Sequence, residues 1–530
     1  MKNLLKECWQ DNLLVLIWML GTGTSTTIAN FKHAGIINGI VTFNLEIFTT
    51  NLVHLIIAYS CFIFFTYLKL KQSEKTIQKM ATSLRVTLLK RIAAVSYQEF
   101  HQQDTGTYSS WLTNDITQIE QLGFNPLYNL ISSVINTTLA IFALFSLHWS
   151  LLLITSLQIF AILLIPKLFA KRVTEGATKV AQANENFLEK TTDFLLAYDT
   201  LLSLTAFPYL ITKLKATSAY LSRTKFQQAK LMAKVAVSGG IGNVIGQVSI
   251  LSLAGYLALL QQLSIGSISA AGSFAAEIFN TTGNLSQVLA SIKSTQPFFK
   301  KYATLTNQVT TESPDFQLTE GFKLENVSFK LPHTQIISNI NFNFDLTKKY
   351  AIIGASGSGK STLMNILSGR INNYSGSITL GNYDLKTLTL SQLSQEIFYL
   401  NQSPHLFNES IRDNLTLGDC SDDSELWQVL KQVGLAEMIK ELPEQLSSFA
   451  GEQGRLLSGG EAQRLALAQG LLRQKKILLL DEATSKLDSK NALKIEHLLL
   501  DRPELTVIMV THHLHAGLTH KLDQTLTLSD

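Results

Sequence analysis

The stretch Gly354-Ala355-Ser356-Gly357-Ser358-Gly359-Lys360-Ser361 carries the residue types that hold a phosphate chain. Its glycines let backbone N–H groups point at phosphate oxygens, and a helix opening there adds partial positive charge. Lys360 has the length to reach the β- and γ-phosphates, and the Ser361 hydroxyl can ligate Mg²⁺. The flanks agree. Apolar Tyr350–Ile353 reads as a strand and Thr362–Leu367 as the start of a helix, so the order is strand, glycine-rich turn, helix.

A second chemical locus lies further on. Lys476–Leu480 is almost wholly apolar, as a strand buried on both faces would be, and it ends in Asp481-Glu482. In open α/β sheets the carboxyl ends of strands are where ligands bind. Asp481 suits Mg²⁺ held through water, and Glu482 suits polarising a water for attack. Another strand pattern, Thr506–Val510, runs into Thr511-His512-His513, and a histidine at such a strand end can contact a γ-phosphate.

These residues need a scaffold. Phe322–Phe329 and Ile336–Phe344 alternate as antiparallel strands do, and residues 423–441 read as helical. Gln308–Pro314 reads as a short polar linker. The expected division is a membrane domain over 1–306, a linker over 307–320 and an α/β domain over 321–530. Charge divides the same way: residues 321–530 hold 20 Lys/Arg against 23 Asp/Glu, whereas the remainder holds 24 against 17. A net charge of only +4 argues against a nucleic-acid partner. Cys8, Cys61 and Cys420 form no spaced pair, which argues against a disulfide frame or a zinc site.

A membrane helix needs about 20 mostly apolar residues. Asn12–Asn30, Leu45–Leu68, Leu127–Leu147, Ser150–Phe169 and Ala236–Leu260 qualify. Ser267–Ile292, richer in Ser, Thr, Asn and Ala, completes an even number, so six spans embedded in a lipid bilayer are expected. Lysines and arginines follow the second, fourth and sixth spans (Lys69 to Arg91; Lys167, Lys171 and Arg172; Lys293, Lys300 and Lys301), while the other side carries little more than Lys32. By the positive-inside rule both termini and the two long connections are cytoplasmic, in a multi-pass protein of the cell membrane. Those connections, 69–126 and 170–235, are polar, poor in proline and too long for loops. Each is expected to extend a membrane helix inward, turn, and return, with turns at Asp104-Thr105-Gly106 and within Tyr198–Pro208. Inside the spans, Glu277 sits near mid-membrane and His54 at similar depth. A carboxylate there is costly unless it faces water or a partner, so Glu277 is a candidate for a cavity favouring a cationic or polar substrate; His54 is a candidate of the same kind.

At Leu457-Ser458-Gly459-Gly460-Glu461-Ala462-Gln463 the chain resembles the ATP-binding cassette (ABC) transporters. With its six expected spans ahead of the cassette it resembles their exporter-type half-transporters over essentially its whole length. That resemblance implies an α-helical membrane domain with long cytoplasmic extensions plus an ABC-type P-loop ATPase domain, and ATP with Mg²⁺ as ligands. It gives Gly354 to Ser361, with Thr362, as the Walker A loop, and Leu478–Asp481 as the Walker B strand. Glu482 becomes the catalytic carboxylate and His512 the switch histidine. Gln402, in Tyr399-Leu400-Asn401-Gln402, matches the Q-loop glutamine that touches the metal, and Ser458-Gly459-Gly460 the signature that closes over a second subunit's ATP. Ser485-Lys486-Leu487-Asp488 matches the D-loop, and Ala450–Gly454 a loop found just before the signature in exporters. The first cytoplasmic turn, Thr105-Gly106 with Leu112–Asp115, resembles that of exporters too. The implied partner is a second half-transporter, identical or not. The implied function is ATP-driven export of a drug, lipid or peptide; a less active subunit of a heterodimer is the alternative. Three positions depart from the family. Leu331 stands where an aromatic stacks on adenine, Glu461 where glutamine is usual, and Lys486 where a small residue is common. The sequence also leads one to expect no peptidase-like region ahead of the first span and short C-terminal helices or none.

Overall fold

The computed structural model describes residues 2–303, 316–331, 334–451, 456–511 and 519–528, with the backbone alone at residues 2, 161–170, 174, 286 and 303. The chain forms two compact units: Met1–Ala93 with Asp104–Thr306, and Ala94–Gln103 with Asn307–Asp530.

The first unit is helical. Trp9–Val41 packs along Leu45–Ala93, then come Thr105–Leu147, Trp149–Leu196, Phe207–Leu259 and Ile265–Ser294. Trp9–Val41, Leu45–Ala93, Thr105–Leu147 and Phe207–Leu259 are long and apolar enough to cross a membrane. Trp149–Phe160 is a shorter apolar stretch at the start of the fourth helix. Ile265–Ser294 is helical where the sixth span is expected, but its serines, threonines and asparagines keep it below the apolar level of the other four. The surface of this unit is apolar where a bilayer would lie: Val53, Ile56, Ile57, Ile63 and Phe64 are all exposed. Its interior is tight, and a Cβ on Gly246 would fall 2.7 Å from the Phe279 ring. Small residues of this kind let membrane helices approach closely.

Both expected turns are present. The second helix ends at Ala93 and the chain restarts at Thr105 with Asp104 in the N-cap position, although the Asp104 side chain makes no capping hydrogen bond. The fourth ends at Leu196, a short helix Tyr198–Ser203 follows, and the next begins at Phe207 with Pro208 in its first turn. Proline fits there because the first turn's N–H groups have no helical partner.

The second unit carries two sheets. β1 (Phe322–Leu331) pairs antiparallel with β2 (Thr334–Phe344). β3 (Lys349–Gly354) leads into the helix Lys360–Leu367. β4 (Ser375–Leu380) and the two-residue β5 (Tyr383–Asp384) complete an antiparallel sheet of order β2-β1-β4-β5. β6 (Ile397–Leu400), β7 (Ile477–Asp481), β8 (Thr506–Val510) and β9 (Gln524–Leu528) form with β3 a parallel sheet of order β6-β7-β8-β3-β9. Every residue of β7 and β8 is buried, which is why both read as unbroken apolar runs rather than alternating ones.

Side chains alternate across this sheet. Leu478 and Leu480 face the helix Gly459–Leu472, whereas Ile477 and Leu479 face the helix Lys360–Leu367. The region 423–441 is two helices, Asp423–Gln432 and Ala436–Glu441, because Gly434 takes a left-handed conformation (φ 70°) between them.

Candidate nucleotide-binding and hydrolysis site

The phosphate loop is built at the end of β3. Gly357 (φ 91°) and Gly359 (φ 85°) lie in the left-handed region, where a side chain is strained. Gly359 is also crowded: a Cβ there would sit 2.8 Å from the Ile336 carbonyl oxygen. It is the N-cap of the helix Lys360–Leu367, so the free N–H groups of the first helical turn point into the loop. The Lys360 ammonium is buried and donates to the carbonyls of Gly354 (2.9 Å) and Ala355 (2.7 Å). Those bonds hold it at the mouth of the loop. Ser358 Oγ is buried with no hydrogen-bond partner among the described residues. An orphaned hydroxyl inside a ring of N–H donors and a lysine fits an anion with several acceptor oxygens.

The carboxylates stand where the sequence places them. Asp481 ends β7 and is buried; the Tyr399 hydroxyl donates to its Oδ2 at 3.2 Å. Burial, then the charge of Asp481, push the Tyr399 phenol up, so it stays a donor at neutral pH. Glu482 leaves the strand with φ 51° and its N–H donates to the Val510 carbonyl at 3.1 Å. A non-glycine residue in that conformation costs about 1–3 kcal/mol and persists only where its surroundings fix it. Here they do. Gln402 Nε2 donates to Glu482 Oε2 at 2.6 Å, and Gln463 Nε2 donates to the main-chain carbonyls of Gln402 (3.2 Å) and Glu482 (3.4 Å).

Gln463 is a residue that the sequence reading quotes without assigning it a task. Buried in the first turns of the signature helix, it hooks that helix onto the two strand ends that carry Gln402 and Glu482. Its signal was a glutamine placed four residues after Gly459, just ahead of the apolar run Leu465 to Ala468 on the same helix.

The signature is a capped helix. Ser458 caps Gly459–Leu472: its Oγ accepts from the Glu461 N–H (3.3 Å), and the Glu461 carboxylate accepts from the Ser458 N–H (2.7 Å). The departure at Glu461 is therefore half of a reciprocal capping box. Lys486 Nζ donates to Ser403 Oγ at 2.9 Å, and its stem lies against Gly459, where a Cβ would come 3.3 Å from Lys486 Cδ. Asp488 N-caps the helix Ser489–Leu500 by accepting from Lys490 and Asn491. The Asn491 side chain, and then the main-chain donors, hold its carboxyl below the usual carboxylate range. Leu331, at the end of β1, is 49% exposed. His512 lies outside the described residues.

The oxygen donors that could hold a divalent metal are Ser361, Asp481 and Gln402. Gln402 spends its amide N–H on Glu482 and so keeps its carbonyl oxygen for another partner. A hydroxyl, a carboxylate and an amide oxygen beside a phosphate loop suit Mg²⁺, a hard cation that takes few protein ligands and relies on phosphate oxygens for the rest.

In the helical unit, Glu277 is half-buried on Ile265–Ser294. Nearby polar groups join in: Asn243 Nδ2 donates to Asn280 Oδ1 (2.5 Å), and Gln247 Nε2 to Asn243 Oδ1 (2.7 Å). His54 is exposed on a different helix, beside exposed Leu52 and Val53.

A loop that cradles phosphate, set against strand ends that present carboxylates, defines a P-loop ATPase. Fused behind a bundle of apolar helices, it defines the class of ATP-driven membrane transporters. Comparison with known proteins narrows this. The family model described as "ABC transporter transmembrane region" matches residues 14–282, and the one described as "ABC transporter" matches residues 337–485. The chain belongs to the ABC transporter family, with the architecture of an exporter half-transporter: one membrane region and one ATPase domain, whose hydrolysis of ATP is coupled to transport.

Similar proteins include the "Multidrug resistance-like ATP-binding protein MdlB" of Buchnera aphidicola subsp. Schizaphis graminum, 25% identical over 96% of this chain and 89% of that one. The "Heterocyst differentiation ATP-binding protein HepA" of Nostoc sp. is 26% identical over 85% and 75%. The human "ABC-type oligopeptide transporter ABCB9" is 27% identical over 83% of this chain and 59% of its own length. A solved bacterial Atm1-family ABC exporter with ATP bound shares the fold, with TM-score 0.84, 20% identity, and coverage of 98% of this chain and 94% of that chain.

Proposed function

We propose that the chain exports its substrate as one half of a dimer, hydrolysing ATP at a seam where two ATPase domains meet head to tail. The observation that carries this is the placement of Glu482. Its main chain is fixed to Val510 and its carboxylate is aimed by Gln402, beside a loop suited to phosphate. In this reading the loop N–H groups, Lys360, Ser358 and Thr362 bind the phosphates, and Leu331 packs on the base. Ser361, Asp481 and Gln402 hold Mg²⁺, which when bound neutralises phosphate charge. Glu482 takes the proton of the attacking water, and His512 contacts the γ-phosphate. Ser458, Gly459 and Gly460 close over the nucleotide of the second subunit, with Asp488 shaping the loop beside them. Hydrolysis then releases the closed state, a two-state element biased by the γ-phosphate.

Glu482→Gln tests this directly. The variant is expected to keep ATP affinity and lose turnover by at least a hundredfold; wild-type ATPase activity in its native dimer would refute the assignment.

In the membrane domain the reading keeps six spans, cytoplasmic termini and the domain limits 1–306 and 321–530. The cargo is a small molecule, lipid or peptide, and Glu277, a half-buried carboxylate, supports a cationic or polar one, with His54 a secondary contact. Glu277→Gln is expected to weaken ATPase stimulation by cationic compounds and spare neutral ones; equal stimulation by both would end this part.

A second reading, a less active subunit of a heterodimer, is favoured by one observation. Leu331 is an exposed aliphatic side chain and offers no aromatic face to a base. Steady ATPase activity from a purified homodimer would exclude it.

A further inference from the structure

Residues 94–103 are the turn between the helices Leu45–Ala93 and Thr105–Leu147, yet they group with the ATPase unit. The short helix Tyr97–Phe100 is fixed there by a capping box between Ser96 and Glu99 and by Gln98 Nε2 donating to Asn373 Oδ1 at 2.7 Å. Its Tyr97 ring lies 5.2 Å from the Arg370 guanidinium. That guanidinium also lies 4.4 Å from the Tyr399 ring. Tyr399 points from β6 toward the face of the phosphate-loop helix, and its hydroxyl donates to Asp481 Oδ2 at 3.2 Å. One cation thus sits between two aromatic faces, and the second ring ends on a strand-end carboxylate.

Each link has a physical consequence. Arg370 comes two residues after the C-cap of the phosphate-loop helix, so its position is tied to that helix. A guanidinium sandwiched between rings is held by both quadrupoles, and removing one ring frees it to leave the other. Tyr399 without that contact loses a restraint on its ring. Asp481 without the Tyr399 hydroxyl loses the bond that fixes which oxygen turns to the site. Partners of this outer kind orient metal-binding carboxylates, and their loss typically costs about 10–100-fold in metal affinity.

We propose that Tyr97, Arg370 and Tyr399 are positioning residues for Asp481, so that the seating of the 94–103 turn sets how well the site holds its metal. The turn is covalently continuous with the helices Leu45–Ala93 and Thr105–Leu147 on either side of it. The inference rests on the reading of Asp481 as the metal-side carboxylate.

The test uses the full chain in lipid nanodiscs and a fluorescent ATP analogue, with binding measured once in EDTA and once in Mg²⁺. The readout is the factor by which Mg²⁺ tightens binding. Tyr399→Phe is expected to cut this factor by about tenfold. Tyr97→Ala and Arg370→Met are expected to cut it by about threefold to tenfold. Binding in EDTA is unchanged in all three, and Tyr97→Phe, which keeps the ring, behaves as wild type. The double variant Tyr97→Ala/Tyr399→Phe shows no greater loss than Tyr399→Phe alone, because the two act in series. The proposal is overturned if Tyr97→Ala keeps the wild-type factor, if the losses multiply, or if they are as large in EDTA. Should Arg370→Met not fold, Arg370→Lys, which keeps charge without the planar stack, takes its place with the same expectation. Asp481→Asn separates the two levels. If it keeps the Mg²⁺ factor, the metal assignment itself is wrong; if it abolishes the factor while Tyr97→Ala does not, only the stack is wrong.

Discussion

Two glycines of the phosphate loop share a backbone conformation and differ in their surroundings, and this makes a quantitative test. Gly357 has φ 91° and a Cβ built on it meets nothing within 4 Å. Gly359 has φ 85°, and its Cβ would lie 2.8 Å from Ile336 O, 3.0 Å from Ile337 Cγ1 and 3.2 Å from Ile336 Cγ2. Gly357→Ala therefore carries only the left-handed cost, about 1–2 kcal/mol. Gly359→Ala carries that cost and a clash with β2 main chain, which cannot swing aside as a side-chain tip would. Overpacking of this sort adds about 1–3 kcal/mol, for a total near 2–5 kcal/mol. The loop can relieve the strain by opening, but opening withdraws the N–H groups from the phosphates. At about 1.4 kcal/mol per tenfold, Gly359→Ala should weaken binding of the fluorescent ATP analogue by roughly 30-fold or more, and Gly357→Ala by about 5- to 30-fold. The two are compared in the same nanodiscs, with thermal unfolding of the soluble domain followed in parallel. If Gly359→Ala binds as well as Gly357→Ala, the crowding against Ile336 does not govern the loop and the argument fails.

Other consequences are more local. Glu461→Gln keeps an acceptor for the Ser458 N–H and should leave stability within about 0.5 kcal/mol, whereas Glu461→Ala should cost about 0.5–2 kcal/mol through the lost cap; equal melting of the two would deny the capping box its role. Leu479→Ala, in the middle of β7, should cost about 2–5 kcal/mol, read from denaturant unfolding; a cost under 1 kcal/mol would contradict full burial. Asp488 has its carboxyl held below the unfolded value by Asn491 and main-chain donors. Its contribution is present above the unfolded value of about 3.9 and is lost as pH falls through the folded one. Asp488→Asn, which still caps, should remove that acid-side dependence, and an unchanged acid profile would refute the assignment.

How much of this was legible in the sequence depends on the range of the interaction. The loop, β7 and β8 were readable because each is a contiguous pattern: glycines at fixed intervals, or apolar runs that only a doubly covered strand tolerates. The helical reading of 423–441 left open where its two helices part, which Gly434 decides by its left-handed backbone. The helix Ile265–Ser294 illustrates the opposite limit. Its mean hydropathy is lowered because its polar residues fall on one side. Ser269, Ser273, Glu277, Asn280 and Asn284 recur at helical spacing, while Ala270, Ala271, Phe274, Ala275 and Ile278 between them are buried. An average over the helix mixes the two faces.

Gln402 and Glu482 were legible from their motifs, but the hydrogen bonds that join them to each other and to Gln463 were beyond any local pattern. Gln463, Gln402 and Glu482 are brought together across 19 and 61 residues of chain, measured from Gln463. Tyr97 and Arg370 are further apart still, and nothing in the composition of either segment marks them as neighbours. Their contact follows from topology. β6 places Tyr399 beside β7, parallel pairing aligns Leu400 with Leu480, and the alternation of β6 turns Tyr399 to the same sheet face as Ile397, toward the phosphate-loop helix from which Arg370 extends. A one-residue change of register in β6 would turn Tyr399 to the opposite face and offer Phe398 to Arg370 instead, with no hydroxyl to reach Asp481. The register of the short strand β6 thus decides which ring meets Arg370 and whether a hydroxyl reaches Asp481. Phe398 holds that register from the other face: a Cβ on Gly470 would fall 2.3 Å from its ring. Gly470→Ala should therefore reduce the tightening of nucleotide by Mg²⁺, although Gly470 touches none of the residues that bind it.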